Sequence, residues 1–367
     1  MASKLIRAIL IYQLFLFVSI SFGQTSRLDS SKLDYNKIYS FALDSDAGSV
    51  LNYIQSIDTV SLNGTDKNFI SQFNQRFRFD VDLSNYIEER NSKIDELLKI
   101  FRDYWRLSLL DNSGNFESLL TNKVTSYLAQ NYEPSKLLKT DSPEDTINYF
   151  LEKYIKSLGL YTTGFGKTGK YYDSLVWKEQ QDSIFNFELG DENISVDVIF
   201  MDKFVTLGWE EYSTLGKYYP GGWATNNSLF CVKSAYDISS ENFLVSYLAH
   251  ESRHFSDYKL FPKLSGADLE YRAKLTELSL AKKSLFDIIN FFINNANYES
   301  ENAHPVADYC VIRALSGILF NEDFEKNINL WEDKGVEAIN KYSRDLLKQN
   351  TSDLKKIGEN VQKFIKK

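Results

Sequence analysis

Three histidines occur in the 367 residues, and two of them stand four apart with a glutamate directly after the first: His250-Glu251-Ser252-Arg253-His254. On an α-helix, positions i and i+4 project from one face, so the two imidazoles can grip a single ion. Glu251 lies beside them, where a carboxylate can take a proton from a metal-bound water. These types at this spacing predict hydrolysis at one zinc ion per chain. Zinc then needs a third protein ligand, with its fourth position open. No further histidine follows closely. The next segment supplies acids instead, Asp268-Leu269-Glu270-Tyr271-Arg272-Ala273-Lys274-Leu275-Thr276-Glu277, after a turn marked by Pro262, Ser265 and Gly266. An antiparallel return would bring its first turns alongside His254. Glu270 and Glu277 share a face two turns apart with Ala273 and Ala281, small residues that permit a close approach.

At this point the sequence resembles the zincins with a glutamate third ligand, a superfamily of zinc peptidases. Their pattern is HExxH followed by a helix carrying Glu-x-x-Ala or Glu-x-x-x-Asp, and Glu270-Tyr271-Arg272-Ala273 matches the first form. The resemblance spans residues 200–320 or so. It implies Glu270 as third ligand, with Glu277 the runner-up. Where many members carry an aspartate four residues after that glutamate, this chain has Lys274. The acid that orients a ligand histidine must then come from elsewhere, and Glu277 is the candidate. Ser252 and Arg253 also depart from the usual motif, which prefers a bulky apolar residue after the glutamate and no arginine before the second histidine. Several members use a downstream His or Tyr to stabilise the oxyanion of the tetrahedral intermediate. His304 is the candidate here, with Tyr309 and Arg313 weaker ones; the alternative is a helix-entry histidine bonded to backbone. In such folds the strand before the metal helix lines the cleft and pairs with extended substrate. Gly221–Lys233 holds that place, with Trp223 as a subsite wall or a core residue.

The surroundings of the motif favour an inward site. Leu244, Tyr247, Leu248, Phe255 and Tyr258 form an apolar stripe at helical spacing, with Glu251 in its middle and His254 on its edge. Ser246, Ser252, Arg253, Ser256 and Asp257 fall on the outer side. A carboxylate aimed into a core is unfavourable unless compensated, and a metal with its water would compensate it.

The elements that must position these groups can be placed coarsely. Residues 24–160 read as mostly helical, with helical periodicity in Tyr86–Leu109 and Thr146–Leu158 and caps at Asp80, Asp82 and Ser84. From Gly159 to Ser234 glycines and β-formers dominate. Ile194–Thr206 and Ser228–Lys233 read as strands, with a hairpin turn at Gly190-Asp191-Glu192-Asn193. Helices are then expected over Ser240–Tyr258, Ala267–Asn294, Val306–Phe320, Phe324–Gln349 and Ser352–Lys366. The fold class is therefore α+β, with a zincin-like catalytic domain over 161–367 and a helical N-terminal region over 24–160.

Composition bounds the rest. The chain is 43% hydrophobic and 25% charged, as globular chains are. A net charge of −8 argues against a nucleic-acid partner, which demands a basic surface. Lys4 and Arg7, the apolar run Ala8–Ile20 and the small residues around Gly23 read as a signal peptide over 1–23. No later stretch is long enough for a membrane span. The expectation is an exported, periplasmic or extracellular zinc metallopeptidase acting on a peptide or protein substrate. The alternative is a catalytically inactive, metal-stabilised zincin-like binding module. Cys231 and Cys310 are either a disulfide or two buried thiols.

Overall fold

The computed structural model describes residues 33–78, 92–132, 143–189, 192–300 and 302–365. The leader expected over 1–23, the caps at Asp80, Asp82 and Ser84, and the middle of the turn at Gly190-Asp191 lie outside these. The protein is a mixed α+β chain. It divides into two compact units, one of residues up to Gln180 with Met201–Pro220, the other of Gln181–Phe200 with Gly221–Lys367.

The first unit begins with six helices: α1 Tyr35–Leu43, α2 Ala47–Gln55, α3 Gly64–Phe77, α4 Ser92–Leu110, α5 Glu117–Asn131 and α6 Pro143–Ser157. Side chains of Asp34, Asp46 and Asn63 cap the first three by accepting from Lys37, Ser49 and Asp66 amides. Short strands follow, β1 Tyr161–Thr162, β2 Gly166–Thr168 and β3 Tyr171–Asp173, and then the long strands β4 Val176–Glu188 and β5 Asn193–Thr206. Helix α7, Trp209–Ser213, closes this part. The core is aromatic, built from Phe73, Phe77, Phe101, Trp105, Tyr172 and Trp209 among others. The indole N–H groups of Trp105 and Trp209 donate to the carbonyls of Tyr172 and Thr168. Strand β4 buries Val176 and Trp177, is polar and mostly exposed over Lys178–Asp182, and alternates only over Ser183–Glu188, so no strand pattern runs along its whole length.

The second unit continues with β6 Gly222–Ala224 and β7 Leu229–Val232, paired antiparallel with Trp223 opposite Phe230. The sheet runs in the order β1-β4-β5-β7-β6, so β6 is its edge. A π-helical stretch, Asn242–Ala249, runs straight into α8 His250–Leu260. Then come α9 Gly266–Leu280, α10 Leu285–Asn295, α11 Ala303–Phe320, α12 Ile328–Lys334 and α13 Val336–Ile357. The single helix expected over Ala267–Asn294 is broken at Ala281, whose backbone is extended. The break is held from outside: Glu241 accepts from the Lys282 and Lys283 amides, and Asn340 donates to the carbonyls of Leu278 and Ala281. The helix expected over Phe324–Gln349 stops at Gly335 (φ +76°) and restarts. The one expected over Ser352–Lys366 is the end of α13 followed by an irregular tail. Among the described residues no helix is long and apolar enough to cross a membrane.

Candidate metal centre

The helix that carries the motif is wound in two ways. Along Asn242–Ala249 the i→i+5 pattern shifts side chains relative to a 3.6-residue repeat. Leu244, expected in the inward stripe, is accordingly 47% exposed, while Tyr247 and Leu248 stay buried. From His250 to Asp257 every residue is buried. That corrects the outer face expected for Ser252, Arg253, Ser256 and Asp257. Their polar groups are mostly satisfied within the unit instead. Arg253 donates to Glu192 (2.7 Å) and to Thr276 Oγ1 (3.0 Å), and Ser256 donates to the same Glu192 oxygen. Asp257 receives a two-pronged contact from Arg272, 2.7 and 2.8 Å. Arg253, a departure from the usual motif, thus ties α8 to α9.

Helix α9 starts where Ser265 caps it by accepting from the Asp268 amide. It brings Glu270 to the two motif histidines. His250 Nε2 and His254 Nε2 are 3.1 Å apart. Glu270 places one oxygen 3.3 Å from the first and the other 3.2 Å from the second. Among the described residues, His250, His254 and Glu270 form a group that could hold a metal ion. Glu277 lies elsewhere: its Oε1 is 2.7 Å from Nδ1 of His250, on the far side of that ring. A proton on Nδ1 directed at this carboxylate leaves Nε2 with its lone pair toward the cluster.

Helix α11, whose N-terminus is capped by Asn302, supplies His304. Its Nδ1 stands 3.0 Å from Glu270 Oε2, and its Nε2 is buried with no hydrogen-bond partner. Burial holds the His304 imidazole below its usual pKa, with Lys274 adding to the effect against the pull of Glu270. The contact sets His304 against the Glu270 carboxylate and leaves Nε2 as the ring atom without a partner. Asp308, one turn further along α11, is 2.8 Å from Lys274 of α9. The sequence singled out Lys274 only as a departure from the resembled pattern, and Asp308 not at all; the trace of their pairing was the one-turn spacing of each from Glu270 and His304.

Burial pushes the Glu251 carboxyl up to about 8, and the charges of Glu270 and Glu277 push the same way. His250 and the Ala224 amide of β6 oppose this in part, but that amide falls short of a full hydrogen bond. Both Glu251 oxygens are buried without a partner. Burial alone would lower His250; Glu270 and Glu277 overcome it and raise that ring to about 10. Burial would raise Glu270, yet the three histidines hold it well below the carboxylate range.

The donors fit a zinc ion. Tetrahedral bonds of about 2.0–2.1 Å put neighbouring ligand atoms roughly 3.3 Å apart; the two ring nitrogens stand 3.1 Å apart, and one ligand atom from each of the three residues lies within 4.8 Å of the others. Glu270 Oε2 is buried and has no aligned hydrogen-bond donor, with His250 Nε2 at 3.3 Å and His304 Nδ1 at 3.0 Å, so the oxygen is open to a cation.

Gly222 and Ala224 of β6 face this side: a Cβ on Gly222 would strike the Tyr247 ring and the Phe230 carbonyl. Trp223 points to the opposite face, stacked on Phe230 at 5.2 Å, which removes it from the cluster. Cys231 and Cys310 are free thiols. Tyr309 stacks on Phe324, and Arg313 pairs with Asp323 at the surface. No known protein family matches this chain, and no curated protein or solved structure is detectably similar to it.

Proposed function

We propose that the chain is an exported zinc-dependent hydrolase, a metallopeptidase of zincin type, with His250, His254 and Glu270 as its metal ligands. The observation that carries this is the three-donor cluster, buried and close enough to hold one ion, with the unpartnered carboxylate of Glu251 beside it. Zinc bound there supplies a Lewis acid that polarises a carbonyl and acidifies water. Glu251 is the general base: its buried carboxylate has no competing partner, and it passes the proton to the leaving amine. Glu277 fixes the tautomer of His250, and His304 braces Glu270. Strand β6 is a sheet edge next to Glu251, a surface on which an extended peptide can add as a further strand. The test is metal analysis with turnover. Purified protein should contain about one zinc per chain, and Glu251→Gln should keep the metal and lose peptide hydrolysis. Full activity in that variant would remove Glu251 from the mechanism.

A second reading draws on burial. His250, Glu251, His254, Glu270 and His304 are all nearly inaccessible. A closed metal centre in a binding module has that property too. In that case His250→Ala lowers thermal stability while no member of a peptide library is cleaved by the native chain.

A further inference from the structure

Lys274 follows Glu270 by one turn of α9. A glutamate four residues before a lysine is the favoured order for an ion pair along a helix. Both side chains are buried, where such attraction is little screened. Paired in that way, Lys274 would occupy the carboxylate that a metal needs. It does not. Its ammonium lies 2.8 Å from Asp308 on α11 and 4.3 Å from the centre of the Phe292 ring. Glu270 and Glu277 are the other charged groups that act on it. Asp308 itself is 1% exposed. Helix α11 thus meets α9 with two groups one turn apart, His304 against Glu270 and Asp308 against Lys274.

We infer that Asp308 is a positioning residue that holds the Lys274 ammonium away from Glu270 and so keeps the ligand carboxylate free for the metal. The inference rests on the metal reading of His250, His254 and Glu270, and adds a condition under which that site fails. A buried ion pair with a purely structural role can be exchanged for apolar residues with little consequence, while removal of one partner destabilises the fold. Sequestration predicts something else, a defect in metal affinity that disappears once the lysine is gone.

The experiment measures zinc affinity of the purified full chain by competition with a chromogenic chelator, beside a thermal melt of the metal-free protein. Asp308→Asn releases Lys274 toward Glu270, and affinity falls about 10- to 100-fold, the usual scale for an outer partner of a metal ligand. Lys274→Met with Asp308→Leu recovers affinity to within about threefold of the native chain. Lys274→Met alone, which tests the same point should Asp308→Asn fold poorly, also binds zinc as the native chain does. Native-like binding by a folded Asp308→Asn, or a double variant or Lys274→Met as weak as the expected single-variant defect, overturns the inference and leaves the metal reading standing. A native chain that takes up no zinc overturns both.

Discussion

The contact between Glu277 Oε1 and His250 Nδ1, 2.7 Å long, decides which nitrogen of His250 faces Glu270. Glu277→Gln keeps the shape but presents an amide that no longer secures the tautomer. Zinc affinity should fall 10- to 100-fold with little change in the melting of the metal-free protein, as a chelator competition would read. On the other side of α8, Asp257 neutralises Arg272, and both are fully buried. Asp257→Ala leaves a buried guanidinium without its carboxylate, beside the neutral side chains of Asn350 and Thr351. The loss should be about 3–5 kcal/mol in chemical denaturation, with His250, His254 and Glu270 unaltered. A loss under 1 kcal/mol would mean that water reaches Arg272. At this scale the sequence was informative where chemistry is local. His250, Glu251 and His254 are one helical turn, and their spacing alone puts two imidazoles together. Glu270 against Glu277 depended on the rotation of a second helix about its axis. Lys274 with Asp308 depended on a third, and no spacing along the chain carries that.

Elements were legible to the extent that their causes are local. Strand β5 and helices α4, α6 and α11 follow their apolar periodicity. The break at Ala281 does not, because Glu241, Asn340 and Arg344, distant in sequence, satisfy the freed backbone groups. The π winding before His250 is similarly invisible in composition. The tail after α13 shows the same dependence. Asp268, in the first turn of α9, accepts from the Phe364 and Ile365 amides, while Val361 packs with Leu264 and Leu269. The tail therefore straps the start of the helix that carries Glu270. Truncation after Gly358 should lower stability by on the order of 3 kcal/mol, from lost apolar burial and a buried carboxylate left with the Ser265 hydroxyl in place of the tail amides. Denaturant unfolding of the truncated chain tests this, and an unchanged midpoint would show that the strap contributes nothing.

Each unit has its own core, the first aromatic and the second formed largely around α9, α10 and α11, so each should answer to its own ligand. The His250-His254-Glu270 group lies wholly in the second. The first holds a buried acid pair: burial lifts Asp173 to about 7 and Glu210 to about 8, the latter with help from the charge of Asp173. Gly208 (φ +93°) makes room for Asp173, because a Cβ there would strike its carboxylate. A carboxyl whose folded pKa is raised binds its proton more tightly folded than unfolded. Below pH 4 both states are protonated and the stability contribution is complete. As pH rises, the unfolded chain ionises first, and stability drains until the folded groups ionise at about 7–8. The full loss is on the order of 4 kcal/mol for each group at most, from about three pKa units apiece. Calorimetry should therefore resolve two handles. Raising pH from 5 to 8 lowers the transition of the first unit, and Asp173→Asn with Glu210→Gln flattens that slope. Zinc raises the transition of the second by preferential binding to the folded state, and a chelator reverses it. If both treatments move one single transition together, the strands β4 and β5, which pass through both units, bind them into one cooperative structure.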